Sequence, residues 1–111
     1  MNIMKRIALV ISEREQRKLL AAFSRETDRL RLTHALEAKL IDKSSEALYF
    51  WRRGERKMRL HNARTMRSAI EHMRKLSSSQ RAMFVKAAQL EVAERLDWIH
   101  FLNLRQKILA A

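Results

Sequence analysis

Residues 50–75 read FWRRGERKMRLHNARTMRSAIEHMRK, and the fold depends on this stretch because it carries two patterns at once. Nine of its residues are Arg or Lys, while only Glu55 and Glu71 are acidic. Its apolar residues recur at helical spacing. The stretch therefore predicts a helix that is buried on one side and strongly cationic on the other.

The two sides of this predicted helix separate when successive residues are placed about 100° apart. The apolar arc comprises Leu48, Trp51, Met58, Asn62, Met66, Ala69, Ile70, Met73 and Leu76. The opposite arc is cationic and is interrupted by Leu60 and Glu71. With the adjacent Arg52 it gives the predicted nucleic-acid-binding residues Arg52, Arg53, Arg56, Lys57, Arg64, Arg67, Arg74 and Lys75.

The composition of the whole chain indicates one all-α domain. Its 111 residues include no Pro and a single Gly, so the turn residues that β-hairpins need are missing. This length suits one compact domain with a modest core. Because the chain has no Cys, disulfides and thiolate metal sites are excluded.

Serine residues mark the predicted helix boundaries. Ser12 stands three residues before Glu15, and Ser77 three residues before Gln80, which is the spacing of a capping box. The predicted bundle has a short N-terminal helix and three long helices, at roughly 2–11, 13–42, 45–76 and 80–109. Gly54 falls inside the second long helix, and the apolar phase preserved across it favours continuity over a helix end at Arg53.

Exposed faces of these helices carry oppositely charged pairs. Four Glu residues stand four positions before a cation, the orientation that favours pairing on a helix. The predicted pairs are Glu13/Arg17, Glu55/Arg59, Glu71/Lys75 and Glu91/Arg95. Each pair adds only tenths of a kcal/mol to helix stability.

The net charge indicates a polyanionic or acidic partner. The chain has 24 Lys and Arg against 12 Asp and Glu, a formal charge of +12 and a pI near 11.3. The excess is largest in residues 44–76, which hold nine cations and three acids. Nucleic acids, acidic proteins and anionic lipid surfaces should all be attracted at low salt.

The last predicted helix has two apolar stripes. One stripe comprises Val85, Ala88, Val92, Leu96, Ile99 and Leu102. The second is the predicted partner interface: Met83, Ala87, Leu90, Trp98, Phe101 and Ile108. A helix that is apolar on two sides must be covered on two sides, either by the N-terminal segment or by a second protein surface. Dimerisation or docking in a larger assembly would supply that cover.

Catalysis and cofactor binding have little support in the sequence. One Gly cannot build a phosphate-cradling loop or a nucleophile elbow, so we expect neither an enzyme nor a cofactor. Asp97 and His100 could share a metal site with His34 and Glu37 if their helices align, which is a minor alternative.

The sequence thus predicts a non-enzymatic, cytoplasmic protein that contacts the phosphate backbone of DNA or RNA with low sequence specificity. The alternative is a helical adaptor or assembly subunit that binds a protein partner through its two-sided helices. No segment approaches the roughly 20 apolar residues of a membrane span. Most aromatic residues fall on apolar stripes, but Tyr49 lies on the cationic arc and could stack on a base.

Overall fold

A computed structural model of the chain describes residues 9–87 and 99–110, and within these ranges the protein is all-α. It has six helices there: α1 (Glu13–Arg29), α2 (His34–Leu40), α3 (Ser45–Arg52), α4 (Leu60–Arg74), α5 (Ser78–Ala87) and α6 (Ile99–Ala110). None of the helices in the described ranges combines the length and the apolar character needed to cross a membrane.

The predicted long helices over 13–42 and 45–76 are wrong, because the first is interrupted at Arg31 and the second at Gly54. The predicted boundary between 42 and 45 agrees with the end of α2 at Leu40 and the start of α3 at Ser45. Arg31 and Asp42 have φ of 57° and Gly54 has φ of 72°, a left-handed conformation that a helix cannot continue through. Each of these residues follows a helix end in a Schellman motif. At Gly54, for example, the Gly54 amide donates to the Trp51 carbonyl at 3.1 Å and the Glu55 amide to the Phe50 carbonyl at 3.0 Å.

Helix starts follow the predicted capping boxes. The Ser12 hydroxyl accepts from the Glu15 amide at 3.1 Å. Ser77 and Gln80 cap each other in both directions, at 3.2 Å and 2.8 Å. The predicted helix over 80–109 corresponds at its two ends to α5 and α6. Its middle part, 88–98, lies outside the described residues.

Residues 9–11 are not helical, which corrects the end of the predicted N-terminal helix; residues 1–8 of that helix lie outside the described ranges. Val10 forms an isolated antiparallel bridge with Arg59. The Ile11 amide donates to the Met58 carbonyl at 3.0 Å, and the Leu60 amide to the Leu9 carbonyl at 2.7 Å. These hydrogen bonds hold the chain extended beside the start of α4 because they use the backbone groups that a helix would need.

The core is formed mainly by residues of α1, α2, α3, α4 and α6. Its largest fully buried side chains are Phe23, Phe101, Leu30, Leu36, Leu40, Leu48, Met58, Met66, Met73 and Ile108. The α1 and α4 helices lie side by side and run in the same direction, since Gln16 contacts Met58 just before α4 while Glu26 reaches Arg74 at its end. Both N-termini therefore lie at one end of the molecule.

The two sides of α6 are the reverse of the prediction. Phe101 and Ile108, assigned to a partner interface, are 0% and 1% exposed in the core. Ile99 and Leu102, which belong to the other stripe, are 63% and 41% exposed. Contact with α4 fixes this orientation, since the Ser68 hydroxyl donates to the Ile108 carbonyl at 3.0 Å.

Candidate nucleic-acid interface

The predicted cationic residues do not share one helix. Arg52 ends α3 and Arg64 lies on α4, while Arg53, Arg56 and Lys57 belong to residues 53–59, which we call the cationic loop. Arg67 and Arg74 also lie on α4, and Lys75 follows its last residue. The surface is therefore assembled by tertiary structure rather than by a single rod.

Gln16 holds the cationic loop in place. Its side chain is 5% exposed. Its Nε2 donates to the carbonyls of Trp51 and Arg56, at 3.1 and 2.9 Å, and its Oε1 accepts from the Met58 amide at 2.8 Å. One buried amide thus satisfies the Arg56 carbonyl and the Met58 amide, which no helix supplies with partners, and adds a second donor to the Trp51 carbonyl. The loop is therefore fixed before any ligand arrives.

Arg52 is part of the interior rather than of the outer surface. Its Nη2 lies 2.8 Å from Glu37 Oε1, and the two side chains are 25% and 4% exposed. Arg52 also donates to Ser24 Oγ at 3.1 Å. Because a buried carboxylate needs a compensating charge, Arg52 is committed to Glu37 and is removed from the candidate surface.

Four other predicted cations are exposed but paired. Arg53 lies 2.8 Å from Glu55, Arg67 3.3 Å from Glu15, Arg74 3.4 Å from Glu26 and Lys75 2.9 Å from Glu71. Hydrogen bonding and charge attraction from Glu55, and a hydrogen bond with Tyr49, raise the pKa of Arg53. A hydrogen bond and the positive charge of Lys75 lower the pKa of Glu71. The pairs of Arg53, Arg67 and Lys75 are exposed on both sides and contribute little energy, so a phosphate can compete for these cations. Glu26 is 4% exposed, so Arg74 compensates a buried charge.

Four exposed cations of residues 50–75 make no ion pair within the described part of the chain: Arg56, Lys57, Arg59 and Arg64. We call them the free cations. Three are in the cationic loop and Arg64 is in the second turn of α4. The first turn of α4 has no acidic residue, so the positive end of the helix dipole adds to their charge. Glu13 lines the same hollow as Arg56 and Lys57, but its carboxylate is 3.1 Å from Arg17.

Arg59 was missed by the sequence-based assignment. In the predicted continuous helix, Arg59 lies off the cationic arc and within reach of Glu55. In the structure these residues belong to a loop, and Glu55 pairs with Arg53 at 2.8 Å instead. The predicted Glu55/Arg59 pair is therefore wrong, while Glu13/Arg17 and Glu71/Lys75 are confirmed at 3.1 and 2.9 Å. The Glu91/Arg95 pair lies outside the described residues. The only sequence signal for Arg59 is its place in the charge run.

Two aromatic side chains adjoin the cationic loop. The Arg53 guanidinium lies 5.3 Å from the centre of the Tyr49 ring and donates to the Tyr49 hydroxyl at 3.1 Å. The Arg56 guanidinium lies 4.9 Å from the centre of the Phe50 ring. The two rings meet edge to face at 5.5 Å. Cation–π contact thus orders both arginines over ring surfaces.

The metal-site alternative finds no set of ligands in the described residues. No group of three or more His, Asp or Glu side chains lies within reach of one ion there. His34 Nδ1 is 3.1 Å from Glu37 Oε2, but Arg52 takes the other carboxylate oxygen. Asp97 lies outside the described ranges, as do Leu90, Trp98 and the side chain of Ala87 from the predicted partner interface.

No known protein family, curated protein or solved structure matches this chain. Its function must be argued from the site itself.

Proposed function

We propose that this protein binds the phosphate backbone of DNA or RNA, with low sequence specificity, through Arg56, Lys57, Arg59 and Arg64. The observation that carries the proposal is that these four exposed cations lie close together in the chain without carboxylate partners in the described residues. Cations placed in this way release counterions when they contact phosphates, and this release drives binding without base contacts.

The fixed loop supports the same function. Ordering a long flexible side chain or a loop on binding costs free energy, and a preorganised site avoids part of that cost. Here Gln16 secures the backbone on both sides of Lys57, by hydrogen bonds to Arg56 and Met58 of 2.9 and 2.8 Å. The stacked guanidinium of Arg56 is also held over Phe50. Arg67 on α4 and Lys75 after its end, whose pairs are exposed on both sides, are further cations for which a phosphate can compete.

The test is a pair of charge-matched triple variants. In the first, Arg56, Lys57 and Arg64 become Gln; in the second, Arg25, Lys86 and Lys107 become Gln. The second set is exposed, lies on α1, α5 and α6, and forms no ion pair in the described residues. Both variants lose the same net charge. Affinity for a labelled duplex and a labelled single strand is measured by fluorescence anisotropy over a salt series.

The first triple variant should bind much more weakly, and the slope of log K against log salt should fall by about two to three because three phosphate contacts are lost. The second should stay close to wild type. Equal losses in both variants would show that total charge, not the cationic loop, governs binding. Circular dichroism of each variant checks that the helices are retained.

A second candidate function is docking to a protein partner through α5 and α6. It is favoured by exposed apolar side chains: Met83 at 41%, Val85 at 37%, Ile99 at 63%, Leu102 at 41% and Leu109 at 37%. Such residues mark interaction surfaces when they cluster. The surface differs from the predicted interface, of which only Met83 remains exposed in the described part.

Oligomeric state tests this second function. If α5 and α6 form a self-association surface, light scattering after gel filtration gives a mass above the 13.2 kDa of one chain. Changing Ile99 and Leu102 to Glu should then return the protein to a monomer without altering its helical content. A wild-type monomer excludes self-association, and an unchanged oligomer in the variant excludes this face as the interface.

A further inference from the structure

Tyr49 exposes an aromatic surface that the fold does not use. Its side chain is 53% exposed, whereas Trp51, two residues later on α3, is 4% exposed. The ring borders a cavity of about 740 Å³ that is lined mostly by residues of α3, together with Arg53 and with His34 of α2. Cavities of this size accommodate small organic groups.

The lining suits a flat, partly polar ring. Most of the cavity surface is apolar, with Leu48, Tyr49 and Phe50 in its lining, and His34, Ser45 and Glu46 also line it. The Arg53 guanidinium lies 5.3 Å from the centre of the Tyr49 ring. The Tyr49 ring also makes an edge-to-face contact with Phe50, with 5.5 Å between the two ring centres. These two contacts hold the Tyr49 ring in place. A held ring loses little entropy when another ring stacks on it.

The cavity is continuous with the cationic loop. Phe50 lines it, and the same Phe50 ring carries the Arg56 guanidinium at 4.9 Å. Arg53 lines it as well, and precedes Gly54 in the turn that leads to Lys57. A chain whose phosphates contact the free cations would therefore bring its bases to the cavity beside Tyr49.

We propose that this cavity receives an unpaired nucleobase, stacked on Tyr49, so that the protein prefers single-stranded to duplex nucleic acid. This inference rests on the proposed function, because the free cations supply the phosphate contacts. In a duplex the bases are paired and stacked on one another, so their faces cannot reach a side chain without being flipped out. In a single strand they can stack on an aromatic ring, and stacking tolerates any base.

The experiment compares two strands of equal charge. One is an oligothymidylate of about 15 nucleotides, and the other is the same backbone with every base removed. The ratio of their dissociation constants reports the contribution of the bases alone. Wild type should bind the thymidylate roughly tenfold more tightly than the abasic strand, a ratio within the range measured for stacking on one aromatic residue.

Three variants assign this ratio to the ring. Tyr49→Ala and Tyr49→Leu should both reduce it to about one, since neither has an aromatic face. Tyr49→Phe should keep it, because the ring remains although the hydrogen bond from Arg53 is lost. The leucine variant keeps an apolar side chain at the site, so a loss seen in both cannot come from removing bulk.

The outcomes separate this inference from the proposed function. If wild type binds both strands equally and the triple variant of Arg56, Lys57 and Arg64 still weakens binding, backbone binding stands and the base site is overturned. If the ratio survives in Tyr49→Ala and Tyr49→Leu, the bases are bound elsewhere and the inference also fails. If wild type binds neither strand at low salt, both proposals fail.

Discussion

The Met58 amide donates a 2.8 Å hydrogen bond to Gln16 Oε1 across 42 residues of chain. This contact joins α1 to the cationic loop, and the same side chain donates to the Trp51 and Arg56 carbonyls. Backbone groups in a loop without regular structure must bond to side chains or water. Gln16 therefore supplies hydrogen bonds that a helix would otherwise have provided. The loop is therefore ordered by Gln16 of α1 together with the extended residues 9–11.

Replacing Gln16 with Leu should destabilise the protein and weaken nucleic-acid binding together. The change leaves the Arg56 carbonyl and the Met58 amide without the partner that Gln16 supplies, and we expect the free energy of unfolding in urea to fall by about 2–4 kcal/mol. Gln106→Leu is the matched control, because Gln106 is exposed on α6. Similar losses in the two variants would show that the hydrogen bonds of Gln16 do not order the loop.

Replacing Arg52 with Met should be far more costly than the same change at its neighbour Arg53. Without Arg52, the Glu37 carboxylate is left 4% exposed with no cation at 2.8 Å, so the free energy of unfolding should fall by about 2–3 kcal/mol. Arg53→Met should stay close to wild type, since its pair with Glu55 is exposed on both sides. Urea denaturation measures both.

The double variant tests the reason for that loss. If the cost comes from an uncompensated carboxylate, changing Glu37 to Met as well should recover part of the stability, because both buried charges are then gone. A double variant that is less stable than Arg52→Met alone would instead mean that Glu37 contributes mainly through Thr27, whose hydroxyl donates to it at 3.0 Å.

The buried side of 45–76 could be predicted from the sequence even though its helix could not. The predicted apolar arc is buried at Leu48, Trp51, Met58, Met66, Ala69, Ile70 and Met73, and half-buried at Asn62 and Leu76. Trp51 and Met58 are seven residues apart, which is close to two helical turns. A loop of this length therefore preserves the helical phase, and periodicity alone cannot reveal the break.

The break at Arg31 was missed, whereas the break at Asp42 agrees with the predicted boundary between 42 and 45. Both occupy the left-handed position of a Schellman motif, where Gly is the usual residue. At the first, the Leu32 amide donates to the Thr27 carbonyl at 3.1 Å, and at the second the Lys43 amide donates to Ala38 at 2.9 Å. Tertiary packing must offset the strain of these conformations, and packing cannot be read from local sequence.

The orientation of α6 was unpredictable for a different reason. Its two sides are both apolar, so amphipathicity does not show which side is buried. In the structure the side with Phe101 and Ile108 is buried, and the side with Ile99 and Leu102 is exposed. Contacts from other helices decide: Ser68 binds the Ile108 carbonyl, and Arg105 donates to the Lys39 carbonyl at 2.7 Å. The sequence also locates the cations, but it does not show which of them are paired. Arg52 is unavailable to a ligand because it is paired with the buried Glu37 carboxylate.

Gly54 should be replaceable only at the cost of backbone strain. Its φ of 72° is left-handed, and an added Cβ would meet no atom within 4 Å, so no steric clash contributes. We expect Gly54→Ala to lower the free energy of unfolding by about 1 kcal/mol, and Gly54→Asn to cost less because Asn tolerates this conformation better. Thermal or urea denaturation of both variants is the measurement, and equal costs would contradict the backbone explanation.

Glu71 should weaken nucleic-acid binding, because it adds a negative charge to the exposed side of α4, seven residues after Arg64 and four after Arg67. Glu71→Gln should therefore raise affinity about twofold at low salt. Lys75 lowers the pKa of Glu71. The Glu71 carboxylate therefore keeps its negative charge as the pH falls to the ordinary pKa of glutamate, and loses it only below that pKa. The gain should accordingly be the same at about pH 7 and about pH 5. Asp28→Asn, an equal charge change on the exposed side of α1, is the control, and a gain as large there would assign the effect to net charge.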